Sequence, residues 1–207
     1  MNESREKLID TAIMLFMENG FHSTGINLIL EKSGVAKKTL YNHFKSKDDL
    51  IVAALEKHSG LFSTRFSQEV ENLATEPSEQ LVAIYDVAHA WFSESNFFGC
   101  IFVNAVGEFA DRESSIRKVC MDYKSEMRDY ICDLCRRAHL PDPEKTSSQL
   151  ALILEGSIST AQVSGNPDAA KTAKDTALVI IEKAIAEVAP NSQGLLGRLF
   201  GEKRSAS

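Results

Sequence analysis

The chain has 207 residues, of which 43% are hydrophobic and 25% are charged, and its formal net charge is -6 at pH 7. This length and apolar content suit one or two compact domains with a sizeable core, and they argue against general disorder. Because no apolar run approaches the ~20 residues of a membrane-spanning helix and the N-terminus MNESREKLID lacks a signal-peptide core, we expect a cytoplasmic protein with no membrane partner.

Apolar residues recur at helical spacing along most of the chain, so the sequence predicts an all-α fold of about nine helices. The first helix covers roughly residues 4–19 and stops at Gly20. Thr24 is the expected N-cap of the second helix, and Gly34 ends that helix. The other helices are expected at about residues 37–44, 46–73, 78–94, 99–110, 114–139, 144–164 and 168–188.

Lysines are concentrated in the stretch EKSGVAKKTLYNHFKSKDDL, residues 31–50. Five lysines and no acidic residue lie between positions 32 and 47, whereas all of the net negative charge lies beyond residue 60. A basic patch on an acidic chain indicates a local anionic partner. Two short helices joined through SGVA are typical of a helix-turn-helix, which binds double-stranded DNA. The alternative is a solvated lysine face without a partner.

The second helix of such a motif presents its N-terminal residues to base edges in the major groove. Lys37 and Lys38 lie there, and lysine donors suit guanine O6 and N7. Side chains that can hydrogen-bond phosphate oxygens follow them: Thr39, Tyr41 and His43. Lys47 lies at the start of the fourth helix, where its charge and the backbone amides both favour a phosphate.

The order of residues 20–55, GFHSTGINLILEKSGVAKKTLYNHFKSKDDLIVAAL, closely resembles the DNA-binding region of the tetracycline-repressor (TetR/AcrR) family. The matching positions are Gly20, Phe21, Thr24, Ile29, Gly34, Val35, Thr39, Leu40, Tyr41, His43, Phe44, Lys47 and Leu50. The resemblance implies a dimeric, all-helical repressor that releases DNA when a small ligand binds its C-terminal domain. It places Lys37, Lys38 and Asn42 at base-facing positions. It places these residues at phosphate-facing positions: Thr24, Thr39, Tyr41, His43 and Lys47.

Three segments are expected along the chain. Residues 1–47 form a three-helix DNA-binding domain with the helix-turn-helix, 48–190 form a helical ligand-binding and dimerisation domain, and 191–207 form a flexible tail. The boundary falls inside a continuous fourth helix, whose start is marked by Ser46 and Asp49 in the spacing of a capping box. The expected function is a sequence-specific transcriptional regulator, a homodimeric repressor released from a palindromic operator by a small effector.

Aromatic and apolar residues form stripes along the fourth to seventh helices. Such stripes are the residues of a core or the lining of a ligand pocket, and the resemblance places a cavity between these helices. The residues assigned to the pocket are Phe62, Phe66, Tyr85, His89, Phe92, Phe102, Val106, Phe109, Tyr123 and Met127. Their chemistry suits an apolar or aromatic effector. His58 is expected on an exposed helix face.

Cys100 lies in FFGCIFVNAVGEF, just inside the start of the sixth helix, where a helix N-terminus favours a reactive thiolate. The segment also resembles the Gly-Cys stretch of TetR-family regulators that sense electrophiles or oxidants through cysteine. Cys100 is therefore either a redox or electrophile sensor, which is the alternative function, or a small buried residue. Cys132 and Cys135 have CxxC spacing on a helix, and they are either two metal ligands, with Cys100 or His139 as a third, or two ordinary helix residues. We expect reduced thiols, no metal and no cofactor.

The eighth and ninth helices carry two apolar stripes that predict a homodimer interface, with a face packed on the chain's own core as the alternative. The assigned interface residues are Leu150, Ile153, Leu154, Ile158, Leu178, Ile181 and Ile185.

No glycine-rich phosphate loop, nucleophile elbow or His-Glu metal constellation is present, so we expect no catalytic residue and no enzyme activity. Glu108 and Asp111 are spaced as a carboxylate pair, but such a pair on a helix is expected to cap the helix or face solvent. A non-specific DNA-coating protein is disfavoured by the net charge of -6.

Overall fold

A computed structural model of the chain describes residues 3–186. Within that range it contains no strand and nine helices: α1 (Glu3–Asn19), α2 (Ile26–Ser33), α3 (Lys37–His43), α4 (Lys47–Leu73), α5 (Pro77–Phe92), α6 (Ile101–Glu108), α7 (Ser115–Arg137), α8 (Pro143–Ser164) and α9 (Ala169–Ala186). The predicted all-α fold is confirmed. The tail predicted at residues 191–207 lies outside the described residues, as do the last two positions predicted for the ninth helix.

Short-range signals set the ends of the first helices. Gly20 follows α1 at φ 81°, and Gly34 follows α2 at φ 66°. Both angles lie in the left-handed region that glycine adopts without steric cost. At the start of α4, the Asp49 carboxylate accepts the N–H groups of Lys45 (2.9 Å) and Ser46 (3.2 Å). The Ser46 hydroxyl accepts the Asp49 N–H at 3.1 Å, so the predicted capping box is confirmed.

The prediction for Thr24 is wrong. The N-cap of α2 is Gly25, which offers no side-chain cap. Thr24 is fully buried, and its hydroxyl lies 3.1 Å from the Leu15 carbonyl oxygen and 2.7 Å from that of Gly20. The hydroxyl therefore ties the α1–α2 turn to the end of α1.

α6 and α7 are shorter than predicted at both ends. Cys100 is the N-cap of α6, with φ -85° and ψ 112°, and is not inside the helix. α7 stops at Arg137, and His139 two residues later has φ 55°, a left-handed conformation that terminates a helix.

The helices pack as two compact units. Among the described residues, the first unit contains 3–65 together with 98–126, and the second contains 66–97 together with 127–186. This division falls within α4 and α7. The predicted boundary at residue 47 separates a DNA-binding domain from a ligand-binding domain. Packing does not test that functional boundary, which stays a prediction. The first unit buries these core residues almost completely: Leu8, Ile9, Phe16, Phe21, Ile29, Leu40, Leu50, Ile51 and Leu55.

The second unit is built on α5, α8 and α9, which pack against one another. Tyr85 of α5 is buried, and its hydroxyl donates to the Leu150 carbonyl of α8 at 2.9 Å. At the surface, Lys174 of α9 pairs with Asp86 of α5 at 2.6 Å. The burial carries most of the stabilisation, because exposed ion pairs contribute at most about 1 kcal/mol each.

His58 of α4 belongs to the first unit and is not exposed as expected. Its ring lies 5.9 Å from the rings of Phe62 and Phe102. Burial disfavours the charged imidazolium and lowers the pKa of His58 to about 4. His58 is therefore a neutral ring at physiological pH.

We predict that replacing His58 by leucine makes the stability of the protein less dependent on pH. The pKa is about 4 in the folded chain and 6.5 in the reference state, so the unfolded chain takes up a proton first as the pH falls. Between pH ~7.5 and pH ~5 the wild-type protein should lose about 2 kcal/mol of unfolding free energy through this residue alone. Urea unfolding of wild type and His58→Leu at both pH values measures the difference. Equal pH dependence in the two proteins would contradict the burial of a neutral His58.

Candidate DNA-binding and sensing sites

α2 and α3 form the helix-turn-helix that the sequence predicts. Three residues, 34–36, join the two helices, and the left-handed Gly34 makes the turn. Ile29 and Leu40 are fully buried, so each helix has one face fixed in the core of the first unit. The short connection and the two buried anchors hold the outer face of α3 in a defined orientation.

The residues predicted to face bases all lie on the outer surface of α3. Lys37, Lys38 and Asn42 are exposed, and Tyr41 beside them is 49% exposed. Lys37 and Lys38 occupy the first turn, which is the part of a recognition helix that reaches base edges. The geometry is compatible with base contacts, whose assignment to these residues stays a prediction.

The residues predicted to contact phosphate are placed differently from one another. Tyr41 is exposed, and Thr39 and His43 are half-buried at the edges of α3. Thr24 is excluded as a side-chain contact because its hydroxyl is buried against backbone carbonyls.

Lys47 has a structural partner that the sequence did not indicate. Its ammonium donates to the Phe21 carbonyl at 2.6 Å, which ties the start of α4 to the α1–α2 turn. An ammonium has three donors, so this contact leaves capacity for a phosphate. The amides of Lys45, Ser46 and Asp49 are already bound within the capping box, and a phosphate at the start of α4 stays a prediction.

Glu108, the last residue of α6, binds the same turn from another side. One carboxylate oxygen accepts the Phe21 N–H at 2.8 Å. The other accepts the His22 N–H at 2.6 Å and lies 2.8 Å from His22 Nδ1. Burial alone would raise the pKa of Glu108, but the hydrogen bonds from the turn outweigh it and hold that pKa below its usual value. The carboxylate is therefore ionised at neutral pH.

The contact between α6 and the turn is also steric. The ring of Phe109 stacks on His22 with 4.9 Å between centroids and meets Phe21 edge-on at 5.9 Å. The positive φ of Gly20 favours glycine, and a β-carbon there would come within 2.9 Å of the Glu108 carboxylate and displace it. Glu108 was expected to cap its helix or face solvent, and that expectation is wrong.

The first unit contains an aromatic cluster formed by α4, α6 and α7. Phe102 stacks on Tyr123 with 3.8 Å between centroids. Phe62 approaches Tyr123 edge-on at 6.4 Å, and His58 completes the cluster. Three of the predicted pocket residues therefore meet, together with a histidine that was not predicted.

The remaining predicted pocket residues are distributed over both units. Val106 and Phe109 belong to the first unit, where Phe109 packs on the α1–α2 turn. The second unit contains the others: Phe66, Tyr85, His89, Phe92 and Met127. That all ten line one cavity stays a prediction.

Two of these side chains have their polar atoms engaged. The Tyr85 hydroxyl donates to Leu150, and burial raises the pKa of Tyr85, so this side chain acts as a core residue. His89 Nε2 lies 3.1 Å from the Asp168 carboxylate at the surface, which turns its polar edge towards solvent and away from an apolar site.

Cys100 lies at the other end of α6 from Glu108. Its sulfur is nearly buried and lies 3.4 Å from the ammonium of Lys124 on α7. Cys120 lies one helical turn before Lys124 on the same face of α7. Burial raises the pKa of Cys120 to about 11, so that thiol stays protonated at neutral pH. The structure therefore gives Cys100 a cationic neighbour that the sequence did not reveal.

Cys132 and Cys135 are buried thiols of α7. Burial raises the pKa of Cys135 to about 12, which disfavours the thiolate that a metal needs. Among the residues that the structure describes, no group of three or more His, Cys, Asp or Glu side chains is arranged to hold a metal ion. None of the described helices is both long and apolar enough to cross a membrane.

The predicted dimer interface requires correction. Five of its seven residues are almost fully buried within the chain itself: Leu150, Leu154, Ile158, Ile181 and Ile185. Ile153 and Leu178 are half-buried. The five buried residues pack α8 and α9 into the second unit, so for them the alternative of an internal face is correct. An interface role of Ile153 and Leu178 stays a prediction.

Large apolar residues are also exposed on another face of α8 and on α9. Leu152 and Val163 on α8 are 73% and 87% exposed, and Val179 on α9 is 61% exposed. On α8 the exposed residues recur at intervals of three and four without a charge: Gln149, Leu152, Gly156, Ser159 and Val163. We call this set the outer stripe of α8. An exposed apolar face of this kind is typical of a protein contact.

Two family models match the chain. The model of bacterial regulatory proteins of the tetR family matches residues 8–54. The model of the tetracyclin repressor-like C-terminal domain matches residues 77–177. Together the two matches cover more than half of the chain.

Curated relatives match parts of the chain. The uncharacterized HTH-type transcriptional regulator YerO of Bacillus subtilis is 37% identical over 82 residues, which are 40% of this chain and 28% of that protein. The HTH-type transcriptional repressor NemR of Escherichia coli K12 is 26% identical over 117 residues, 56% of this chain and 59% of that protein. The chain thus spans less than two thirds of the length of these relatives.

Solved structures share the fold over most of the chain. A TetR-family transcriptional regulator from Streptomyces coelicolor has a TM-score of 0.77 and 24% identity, covering 91% of this chain and 97% of its own. The reduced form of E. coli NemR has a TM-score of 0.76 and 22% identity, covering 86% of this chain and 97% of its own. Because the family models match both its N-terminal helix-turn-helix and its C-terminal helices, the chain belongs to the tetR family of bacterial transcriptional regulators.

Proposed function

We propose that the protein is a homodimeric repressor that binds a palindromic operator and leaves it when a small apolar or aromatic effector binds. Sequence-specific DNA binding is supported most directly by the exposed side chains in the first turn of α3. Lys37 and Lys38 are exposed there, and the buried Leu40 fixes the helix beneath them. NemR, one of the relatives, is a transcriptional repressor. Because the partner is operator DNA, the proposed place of action is the cytoplasm.

The charge distribution supports a local and oriented DNA contact. Residues 1–60 contain eight basic and eight acidic residues, so the net charge of -6 comes from the rest of the chain. The acidic remainder repels the phosphate backbone, whereas the lysines of α3 attract it. DNA therefore approaches from the side of the recognition helix, and wide non-specific coating is disfavoured.

The effector is proposed to contact the aromatic cluster of the first unit. Phe62, Phe102 and Tyr123 provide apolar rings, and the neutral His58 provides a polar edge. Such a lining suits an uncharged aromatic or apolar molecule. Release of DNA requires that the effector bind more tightly to an arrangement in which the two recognition helices miss their half-sites.

Selection of binding sites from a random DNA pool tests the proposal. At ~150 mM salt the purified protein should enrich a palindrome whose half-sites lie about one helical turn, ~34 Å, or a multiple of that apart. Lys38→Ala should weaken binding to that site by about 1–3 kcal/mol and relax its sequence preference.

Lys118→Ala is the matched control, because it removes the same charge from a lysine that is 75% exposed on α7. It should leave the selected sequence unchanged. If Lys38→Ala loses the same affinity for all sequences, that lysine contacts the DNA backbone and not the bases. If the wild-type protein enriches no sequence, operator binding is refuted.

The homodimer is proposed to form through the outer stripe of α8 and the exposed face of α9. A β-carbon on Gly156 would meet nothing within 4 Å, so the chain itself does not require glycine there. A glycine inside a helix costs about 1 kcal/mol relative to alanine. Close packing of a partner helix against this face would explain the glycine at position 156, because a residue without a side chain allows that approach.

Gly156→Leu should separate the dimer into monomers without unfolding them. The added β-carbon meets nothing within 4 Å in the single chain and leucine favours the helix, but the side chain blocks close approach of a partner helix. Leu152→Glu should do the same by placing a charge in the interface. Met121→Glu, at a methionine that is 62% exposed on α7, is the control. Light scattering after size exclusion gives the mass, and a dimeric Gly156→Leu would move the interface elsewhere.

The second candidate function is a repressor triggered by modification of Cys100. The supporting observation is the Lys124 ammonium 3.4 Å from the sulfur, at the N-cap of α6. A neighbouring cation and a helix N-terminus are typical surroundings of reactive cysteines. NemR, a structural neighbour, has been crystallised in a reduced form.

Alkylation by N-ethylmaleimide tests this candidate. Wild-type protein should add one reagent at Cys100 first and lose operator affinity as it does so, because a bulky group on a nearly buried sulfur displaces the start of α6. Cys100→Ser should keep its affinity under the same treatment, and Lys124→Gln should react more slowly. Intact-protein mass and operator binding are followed together. Equal loss of affinity in Cys100→Ser would exclude Cys100 as the trigger.

A further inference from the structure

In the α1–α2 turn, both backbone groups of one residue, Phe21, are hydrogen-bonded to side chains from other helices. The Phe21 N–H goes to the Glu108 carboxylate of α6, and the Phe21 carbonyl goes to the Lys47 ammonium of α4. The next N–H, that of His22, also goes to Glu108. α2 begins four residues after His22, so the turn determines the direction in which α2 and then α3 leave α1.

We propose that Glu108 is a positioning residue for operator binding: its carboxylate, by holding the Phe21 and His22 amides, sets the orientation of the recognition helix α3 and couples that orientation to α6. The proposal rests on the proposed operator binding and adds the residue that regulates it. Glu108 accepts both of these amides.

The bonds of Glu108 are suited to this role. Hydrogen bonds to an ionised acceptor are shorter and stronger than neutral ones, and here two adjacent amides converge on one carboxylate at 2.8 and 2.6 Å. Phe109 stacks on His22 from the same end of α6, and the absence of a side chain at Gly20 leaves room for the carboxylate. The turn therefore follows the end of α6 as one body.

The other end of α6 lies where the proposed effector or reagent acts. α6 has eight residues and is about 12 Å long. Its first turn contacts α7, since Phe102 stacks on Tyr123 and Cys100 meets Lys124. Its last residue is Glu108. A change in the contacts of its first turn with α7 therefore moves the carboxylate, and the turn moves with it.

Removal of the Glu108 charge has opposite expected effects on DNA affinity under the proposal and under charge alone, so the experiment can distinguish them. Replacing any glutamate by glutamine makes the protein less acidic and should favour DNA slightly. Glu108→Gln should instead weaken specific binding, because the side-chain amide offers one acceptor for two N–H donors and brings donors of its own.

The experiment compares Glu108→Gln with Glu113→Gln, an exposed glutamate five residues further along that loses the same charge. Affinity is measured for the operator selected by the wild-type protein and for a scrambled duplex of equal length. We expect Glu108→Gln to lose operator affinity by a factor on the order of ten and to keep its affinity for the scrambled duplex. Glu113→Gln should lose neither, and Glu108→Asp, which keeps the charge, should recover part of the loss.

Two further measurements separate positioning from folding. Thermal unfolding shows whether Glu108→Gln is folded, and a merely unfolded fraction would lower the affinity for both duplexes alike. Amide hydrogen exchange at Phe21 and His22 should be slow in the wild type and in Glu113→Gln, and faster in Glu108→Gln. If Glu108→Gln does not fold, Glu108→Asp and the wild-type exchange rates decide the question.

Operator binding by Glu108→Gln as tight as that of Glu113→Gln would overturn the proposal. Fast exchange of the Phe21 and His22 amides in the wild type would also overturn it. If the wild-type protein selects no DNA sequence, the proposed function fails and the role in operator binding fails with it. The exchange rates would then still show whether Glu108 holds the turn, which distinguishes the two failures.

Discussion

The arrangement of the N-terminal helices depends on the hydrogen bonds that hold the backbone of Phe21. An acidic and a basic side chain, Glu108 and Lys47, take up its N–H and its carbonyl, and the ring is buried against Phe16 at 4.8 Å. A buried backbone group without a partner costs about as much as a lost hydrogen bond. Both contacts therefore stabilise the turn between α1 and α2, and the helix-turn-helix begins from that turn.

The sequence predicts those features whose cause lies within a few residues. The left-handed Gly20 and Gly34 end their helices, and Ser46 with Asp49 starts the next one, because each signal acts on its own turn of backbone. Thr24 shows the limit of such reasoning. A threonine hydroxyl serves equally well as an N-cap or as a donor to a preceding carbonyl. Only the burial of the turn selects the second role.

The parts of the site that the sequence did not predict depend on distant residues. α8 carries apolar residues on two faces, at 150, 154 and 158 and at 152 and 163, and helical periodicity cannot tell which face meets α5 and α9. Glu108 meets a turn 87 residues away and follows no local pattern. Lys124 approaches Cys100 across two helices. The DNA-facing lysines were easier to predict, because their charge and their position in a short motif are both local.

The bond between Glu108 and the turn has a consequence for the modularity of the chain. The tetR-family match over residues 8–54 contains the whole helix-turn-helix but not the carboxylate that binds two of its amides. If this segment were expressed by itself, the Phe21 and His22 N–H groups would lose the carboxylate that binds them, and the turn would be held less firmly. A hybrid regulator made by joining it to a foreign effector domain would need an acidic side chain at the end of the corresponding helix, so the two parts are not freely interchangeable.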